Sequence, residues 1–502
     1  MLENILLGIG SAFQPSTLLF LILGTFIGLI IGALPGLTGN MAIALMVPVT
    51  FAMDPTTGLA FIAAIYCSSI YGGSISAILL GIPGTISSFA TTLDGYPMAK
   101  QGRAGEALGI STLSSAFGGI FSSVVLLFFT PLLAEQALRF GPAEYFAVAM
   151  LGLSCIASIG GDSVNKGLLS GAIGLLISCI GMDPQSGYAR YTFGMMELLE
   201  GIKLVPALIG FFGVLSVLKT AEKCKDISKF DTFPDVGSVW IGWKAIRELL
   251  PTMIRGSIIG TVIGIIPGTG TNVATFMSYD MEKKISKSPE KFGAGEPMGV
   301  AAPESANNAV TGGSMVPLLA LGVPGNSTSA LFLGAIMIHG MRTGPVFFTE
   351  HPDVIYGLLI AFFIANLLMV PLGLFVLRYM KTILSVPENL LGSIILAFCV
   401  TGVYSLGSNP FDVLVMIITG ILGYACYKVK IPTAPMIVAM VLGPLTERNL
   451  RQAIVANKGS WSFMWERPLT LIILLISIAS LFMPIILEYI KNMKTQKVAE
   501  NH

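Results

Sequence analysis

Residues 28–40 read GLIIGALPGLTGN, and 232 positions further on residues 260–272 read GTVIGIIPGTGTN. Laid together without a gap they share Gly28 with Gly260, Ile31 with Ile263, Gly32 with Gly264, Pro35 with Pro267, Gly36 with Gly268 and Asn40 with Asn272. A second pair follows: YGGSISAILLGIPGTISS at 71–88 and TGGSMVPLLALGVPGNSTS at 311–329, which align with one inserted residue. Self-similarity at a long fixed spacing marks a duplication. It divides the chain into a first repeat, 1–235, and a second, 236–502.

Each stretch is an apolar segment interrupted by Pro-Gly and then by polar residues. Proline removes a backbone donor and glycine tolerates positive φ, so a helix reaching Pro35-Gly36, Pro83-Gly84, Pro267-Gly268 or Pro324-Gly325 is expected to stop or kink there. Irregular backbone survives in lipid only when buried in protein or lining a polar cavity. Matching breaks in two repeats therefore point to a transporter binding site. The plainer alternative is kinked helices packed through Gly28/Gly32 and Gly260/Gly264. That alternative accounts for the glycines but not for Thr38 and Asn40, or Thr271 and Asn272, after each break.

Of the 502 residues 54% are hydrophobic and only 11% charged, against roughly 25% charged in soluble domains, so the bilayer is the expected surrounding. The net charge of +1 gives no basis for nucleic-acid binding. Six scattered cysteines without a CxxC read as core filler, not as metal ligands or disulfides. The segment MLENILLGIGSAFQPS has no basic run, and no cleaved signal peptide is expected.

Apolar runs read as spans or as the cores of spans, a full crossing taking about 20 residues, recur in both halves. They include 18–34, 58–80 (with a break expected at Gly72-Gly73), 107–127, 205–218, 254–266 and 354–377. Shorter pieces such as 41–53 read as arms of re-entrant hairpins. The polar stretch 219–248 connects the halves, and 237–250, with Trp240, Trp243, Ile246 and Leu250 on one face, reads either as a helix lying in the membrane interface or as a plain connector. The fold class expected is all-α: a polytopic membrane protein of two homologous repeats, inverted in topology, with broken helices and re-entrant hairpins.

Candidate binding residues are the polar ones after the breaks. They are Thr38 and Asn40, Ser87 and Ser88, Thr271 and Asn272, and Asn326, Ser327, Thr328 and Ser329. Hydroxyls and amides beside free backbone N–H groups suit a carboxylate, and carbonyls at the opposite helix ends suit a small cation. Backbone capping is the competing role for each Ser or Thr. Glu304, with Asn307 and Asn308 within one turn, is a further polar cluster, because a carboxylate between apolar segments is costly unless paired or wetted. Its bland alternative is a helix start at Pro303-Glu304.

Only three histidines occur, without HExxH or GxxxxGK[ST], so neither zinc hydrolysis nor ATP-driven pumping has its parts. No enzyme and no cofactor are expected. A passive channel would need a continuous polar stripe, whereas here polarity gathers at four breaks.

The chain resembles the large permease subunit of the tripartite tricarboxylate transporters (TctA-type). The likeness rests on GALPGLTGN (32–40), YGGSISAILLGIPG (71–84), DGYPMAKQGRAGEAL (94–108), GMDPQSGYARYTFG (181–194), PGTGTNVATFMSYDMEKK (267–284), PESANNAVTGGSMVPLLALGVPG (303–325) and LGPLTERNLRQA (442–453). The resemblance implies binding-protein-dependent secondary uptake of citrate or other carboxylates with sodium as coupling ion; the residues at the breaks themselves suggest a place for that ion near Asn40 and Asn272, with no protein-bound metal expected. It also implies a periplasmic solute-binding protein and a small four-helix membrane subunit as partners, in a bacterial inner membrane. A stand-alone carrier or channel is the alternative. The expected motion is an elevator in which 28–88 and 260–329 move as one against the later helices, with rocking of whole halves as its rival.

Overall fold

Proline opens many of the helices, because its fixed φ suits the first helical turn, where its missing N–H is not needed. In the computed structural model, which describes residues 2–34, 37–156, 163–183, 185–223, 236–268, 270–380, 382 and 388–482, nearly every element is helical. Ahead of the polar connection lie α1 (Leu2–Ala12), α2 (Pro15–Ala33), α3 (Gly39–Thr50), α4 (Pro55–Leu80), α5 (Phe89–Lys100), α6 (Ala104–Ala137), α7 (Pro142–Ser154), α8 (Val164–Ser178), α9 (Leu204–Ile209) and α10 (Leu215–Lys223). A π-helical turn, Gly210–Val214, joins α9 to α10, and a two-stranded antiparallel hairpin pairs Gly181 with Arg190 and Met182 with Ala189. After it come α11 (Gly242–Ile265), α12 (Gly270–Ile285), α13 (Pro297–Leu321), α14 (Ser327–Ile338), α15 (Pro345–Glu350), α16 (Pro352–Arg378), α17 (Glu388–Gly407), α18 (Pro410–Lys428), α19 (Ala434–Ala456), α20 (Phe463–Glu466) and α21 (Pro468–Phe482). Seven helices among the described residues are long and apolar enough to cross a membrane. The chain is an all-α polytopic membrane protein.

The succession of long helix, break, short helix, long helix, break and short helix occurs twice, as α2 to α5 and as α11 to α14. In the first, α2 and α4 run side by side in the same direction: Gly24 meets Phe61 and Ala64, Gly28 meets Ile65 and Ser68, and Gly32 meets Ser69. Helix α3 must therefore lead the chain back between them. In the second, Gly256 meets Ala302 and Ser305, Gly260 meets Ala306, and Gly264 meets Val310 and Gly313. Helix α12 leads back there: Arg255 and Thr252 of α11 bond Glu282 near its far end. Both α2–α3 and α11–α12 are hairpins of helices.

Close approach explains two glycine pairs. A Cβ on Gly72 would stand 3.0 Å from Gly32 Cα, and one on Gly313 3.1 Å from Gly264 Cα. Small residues at such crossings let backbones touch, the main source of helix association in lipid. This corrects the break expected at Gly72-Gly73: α4 runs unbroken to Leu80, and those glycines admit neighbours instead of ending the helix.

Helices α4 and α13 cross antiparallel. Tyr66 faces Ser314, and Cys67 faces Thr311 and, through its carbonyl, Asn308. Likewise α6 and α16 run in opposite directions, Thr112 lying against Gly373 and Gly119 against Asn366.

Two further expectations are corrected. No separate interfacial helix spans 237–250: residues 236–241 are non-helical and lie on Gly105 and Gly109 of α6, and Gly242 starts the membrane-length α11. The glycines of α6 leave room for a strand-like pass, so the connector runs on protein. Nor does Pro303-Glu304 start a helix, since α13 begins at Pro297 and Glu304 lies two turns inside it.

Candidate functional site

Pro35 and Gly36 lie outside the described residues. On the far side of that break Thr38 caps α3, its hydroxyl accepting from Met41 N at 3.3 Å. Asn40, in the first turn, reaches across to the other half: its Nδ2 donates to Ser327 Oγ at 2.9 Å, and Thr328 Oγ1 donates to its Oδ1 at 2.5 Å. The first break of one half thus meets the second break of the other. Thr271 and Asn272 sit correspondingly at the head of α12, where the Asn272 carbonyl accepts from Thr275. That helix packs on the turn Ile86–Ser88, the second break of the first half. Contacts among the described residues join Asn40 to Ser327 and Thr328 but do not bring it to Asn272.

The second breaks are built alike. Helices α4 and α13 end on Gly81 and Gly322, at φ 70° and 77°, left-handed positions that glycine fills without a Cβ penalty. Gly84 then folds back onto Gly73, bonding its carbonyl at 3.1 Å, and Gly325 onto Ser314. Thr85 with Ser88, and Asn326 with Ser329, form reciprocal capping boxes. The structural register pairs Gly72 with Gly313 and Gly81 with Gly322 at one constant offset, which places the inserted residue ahead of Gly313. Ser88 and Ser329 are therefore caps. Ser87 is buried and shares a hydrogen bond with Thr85.

Pro267 is partly buried, and Gly268 donates to Gly325 O at 2.9 Å, so the two breaks of the second half touch. Asn326 Nδ2 donates to Tyr66 OH at 3.1 Å, and Tyr66 OH shares a hydrogen bond with Ser314 Oγ at 3.0 Å. The α14 N-terminus, with Ser327 and Thr328 in its first turn, is a polar point where the halves meet, and a helix N-terminus favours an anion.

Glu304 is fully buried. Its carboxylate accepts from Thr91 of α5 and from Ser111 (3.0 Å) and Ser115 (2.6 Å) of α6. Asn308, also buried, donates to Cys67 O at 3.2 Å. Asn307 is buried with neither amide atom bonded among the described residues. The three do not act as one cluster: Glu304 faces α5 and α6, whereas Asn308 faces α4.

Several polar residues lay outside the expected set. Asp94 of α5, fully buried, accepts from the backbone N–H of Gly293, Gly295 and Glu296, each at 2.8 Å, and from Tyr279 OH at 2.8 Å. Asn366 of α16 donates to Phe362 O and Ser123 Oγ. Ser111 and Ser115, one turn apart on α6, were the readable signal for a polar helix face; Asp94 had none beyond its place in DGYPMAK.

Beyond the spans, Arg451 grips Asp183 at 2.9 Å and Arg190 bonds Glu447 at 2.8 Å, bracing the hairpin against α19. The backbone N–H groups of Gln185 and Ser186, with the Arg451 guanidinium, hold the Asp183 carboxyl well below the usual carboxylate range. A cavity of about 900 Å³ opens elsewhere, between residues 236–240, Leu374 and Arg378, and includes none of the break residues.

Fold and polar centre define a polytopic helical membrane protein whose helices break in pairs where its two halves meet. The model of the tripartite tricarboxylate transporter TctA family matches residues 18–438, and the chain belongs to that family of membrane transport proteins. It is 38% identical over 479 residues, 95% of each chain, to an uncharacterized 52.8 kDa protein in the TAR-I ttuC' 3'region of Agrobacterium vitis. A second protein of that organism, from the TAR-II ttuC' 3'region, is 40% identical over 210 residues, covering 42% of this chain and 87% of its own. No solved structure matches the chain.

Proposed function

We propose that the chain is the large membrane subunit of a binding-protein-dependent secondary transporter that takes up tricarboxylates or related carboxylates with sodium, across a bacterial inner membrane. The observation that carries this reading is the bonding of Asn40 to Ser327 and Thr328 across the two halves, in a chain of the TctA family. Hydroxyls, an amide and a helix N-terminus at one point suit an anionic substrate carboxylate. The antiparallel crossing of α4 with α13, and of α6 with α16, supports reading 1–235 and 236–502 as inverted repeats. A periplasmic solute-binding protein and a small four-helix membrane subunit are the proposed partners.

The test is reconstitution of the full chain in liposomes with and without a small four-helix membrane protein and a periplasmic binding protein of the same source. Radiolabelled citrate and a panel of dicarboxylates are then followed under an inward sodium gradient. Uptake that needs the binding protein and collapses without the gradient supports the reading. Uptake without the binding protein replaces it by a stand-alone carrier, and unsaturable flux by a channel.

A further inference from the structure

We propose that the pocket around Glu304 is a binding site for one positive charge, a proton or a dehydrated sodium ion, closed between the two halves of the chain. Its use as a coupling site rests on the transporter reading; its existence does not. Glu304 comes from the second half, whereas its hydrogen-bond donors Thr91, Ser111 and Ser115 all come from the first. The site is complete only when the halves are packed together.

Charge balance makes the argument. A fully buried carboxylate is heavily penalised unless a positive charge accompanies it, and no ion pair among the described residues includes Glu304. Among the described residues no cation on the elements around α13 reaches it: Lys100 of α5, Lys244 and Arg247 of α11, and Lys283 and Lys284 of α12 are exposed. Tyr71 of α4 shares its hydroxyl with Thr112, and Glu106 of α6 pairs with Arg103. Asp94 of α5 is taken by the 293–296 amides and by Tyr279 of α12. Arg255 of α11 is held by Glu282 of α12, His339 ends α14 beside Gly58, and Glu350 on α15 is negative.

The surrounding atoms suit a small hard cation. Hydroxyl oxygens both donate and accept, so the three that now donate to the carboxylate can turn their lone pairs toward a proton or an oxygen-ligated ion. A second observation points the same way. Ser74 Oγ of α4, which also lies by the Glu304 carboxyl, is fully buried and unbonded among the described residues, and Asn307, on the next turn of α13, is fully buried with both amide atoms unbonded.

The experiment uses the full chain purified in detergent without substrate, so it can fail while the transport reading stands. Thermal unfolding is followed while sodium chloride replaces choline chloride and while pH is varied, and infrared spectra record the carboxyl band. A saturable sodium-dependent rise in melting temperature identifies sodium as occupant; a protonated-carboxyl band at neutral pH, indifferent to sodium, identifies the proton. Either response must vanish in Glu304→Gln, which keeps the shape of the side chain. Ser115→Ala keeps the charge and is expected to shift the midpoint by about tenfold in cation concentration. The proposal is overturned if the wild-type chain shows neither response, or if Glu304→Gln retains it. Should Glu304→Gln fail to fold, unchanged midpoints in both Ser111→Ala and Ser115→Ala overturn it.

Discussion

Asn40 shows how one side chain can join two halves of a chain, because its amide donates to Ser327 and accepts from Thr328 in the same motif. Replacing it by alanine leaves both hydroxyls without that partner. Asn40→Ala is expected to lower carboxylate uptake at limiting substrate about tenfold, equivalent to roughly 1.4 kcal/mol, while the chain stays folded. If Asn40→Ala and Asn272→Ala both transport normally at limiting substrate and sodium, neither asparagine has a role at the site. Asp183 carries a pH prediction. Its folded carboxyl is depressed by the N–H groups of Gln185 and Ser186 and by Arg451, so its contribution to stability is present above the unfolded value, about 3.9. That contribution is lost as pH falls through the lower folded value. Melting temperature below about pH 4 should therefore drop more steeply in the wild-type chain than in Asp183→Asn, and equal slopes would remove Asp183 from the account.

At the scale of elements, Asp94 ties α5 to the turn that leads into α13. Three backbone N–H groups and the Tyr279 hydroxyl depend on one buried carboxylate. Hydrogen bonds to charged groups are worth about 1.5–3 kcal/mol each, so Asp94→Ala is expected to lower unfolding free energy by about 3 kcal/mol or more. Asp94→Asn, which keeps an acceptor, should lose less; denaturant unfolding in detergent would rank the two. The α11–α13 crossing is a second such point. A Cβ on Gly260 would collide with the Ala306 carbonyl, a backbone atom that cannot swing aside. Gly260→Ala should cost about 1–3 kcal/mol by overpacking, measured as a lower melting temperature, and an unchanged value would show that the helices separate freely.

For the whole molecule the packing sharpens the test of motion. Tyr66 contacts Phe362, Cys67 contacts Asn366 and Tyr71 contacts Gly373, so α16 belongs to the same packed block as α4, α6 and α13. Helices α7 and α8 pack instead on α19, and α14 touches both groups, with α3 packed beside it against α4. A reference at 358–377 would therefore move with the breaks; α19 is the better fixed point. If an elevator operates, paired spin labels near Asn40 and Ser327 keep their separation while both shift along the membrane normal relative to Met436 or Leu442 of α19. Constant depth with tilting halves would select rocking instead.

What the sequence by itself determined was local. Proline, glycine and apolar run length marked most of the helices and several of their ends, because backbone sterics act within a few residues. Asn40 and the Asn326–Ser329 run were likewise readable from their place after a break. Only the tertiary structure decided that Asn40 meets the opposite half while, among the described residues, no contact joins it to Asn272, that Gly72-Gly73 admits a neighbour and leaves α4 unbroken, and that Asp94, Tyr66 and Asn366 hold buried junctions. Each depends on partners far away in the chain: Asp94 bonds residues about two hundred positions on. No periodicity encodes such pairings, because an isolated polar residue in an apolar run looks the same whether it caps its own helix or is held by a distant one.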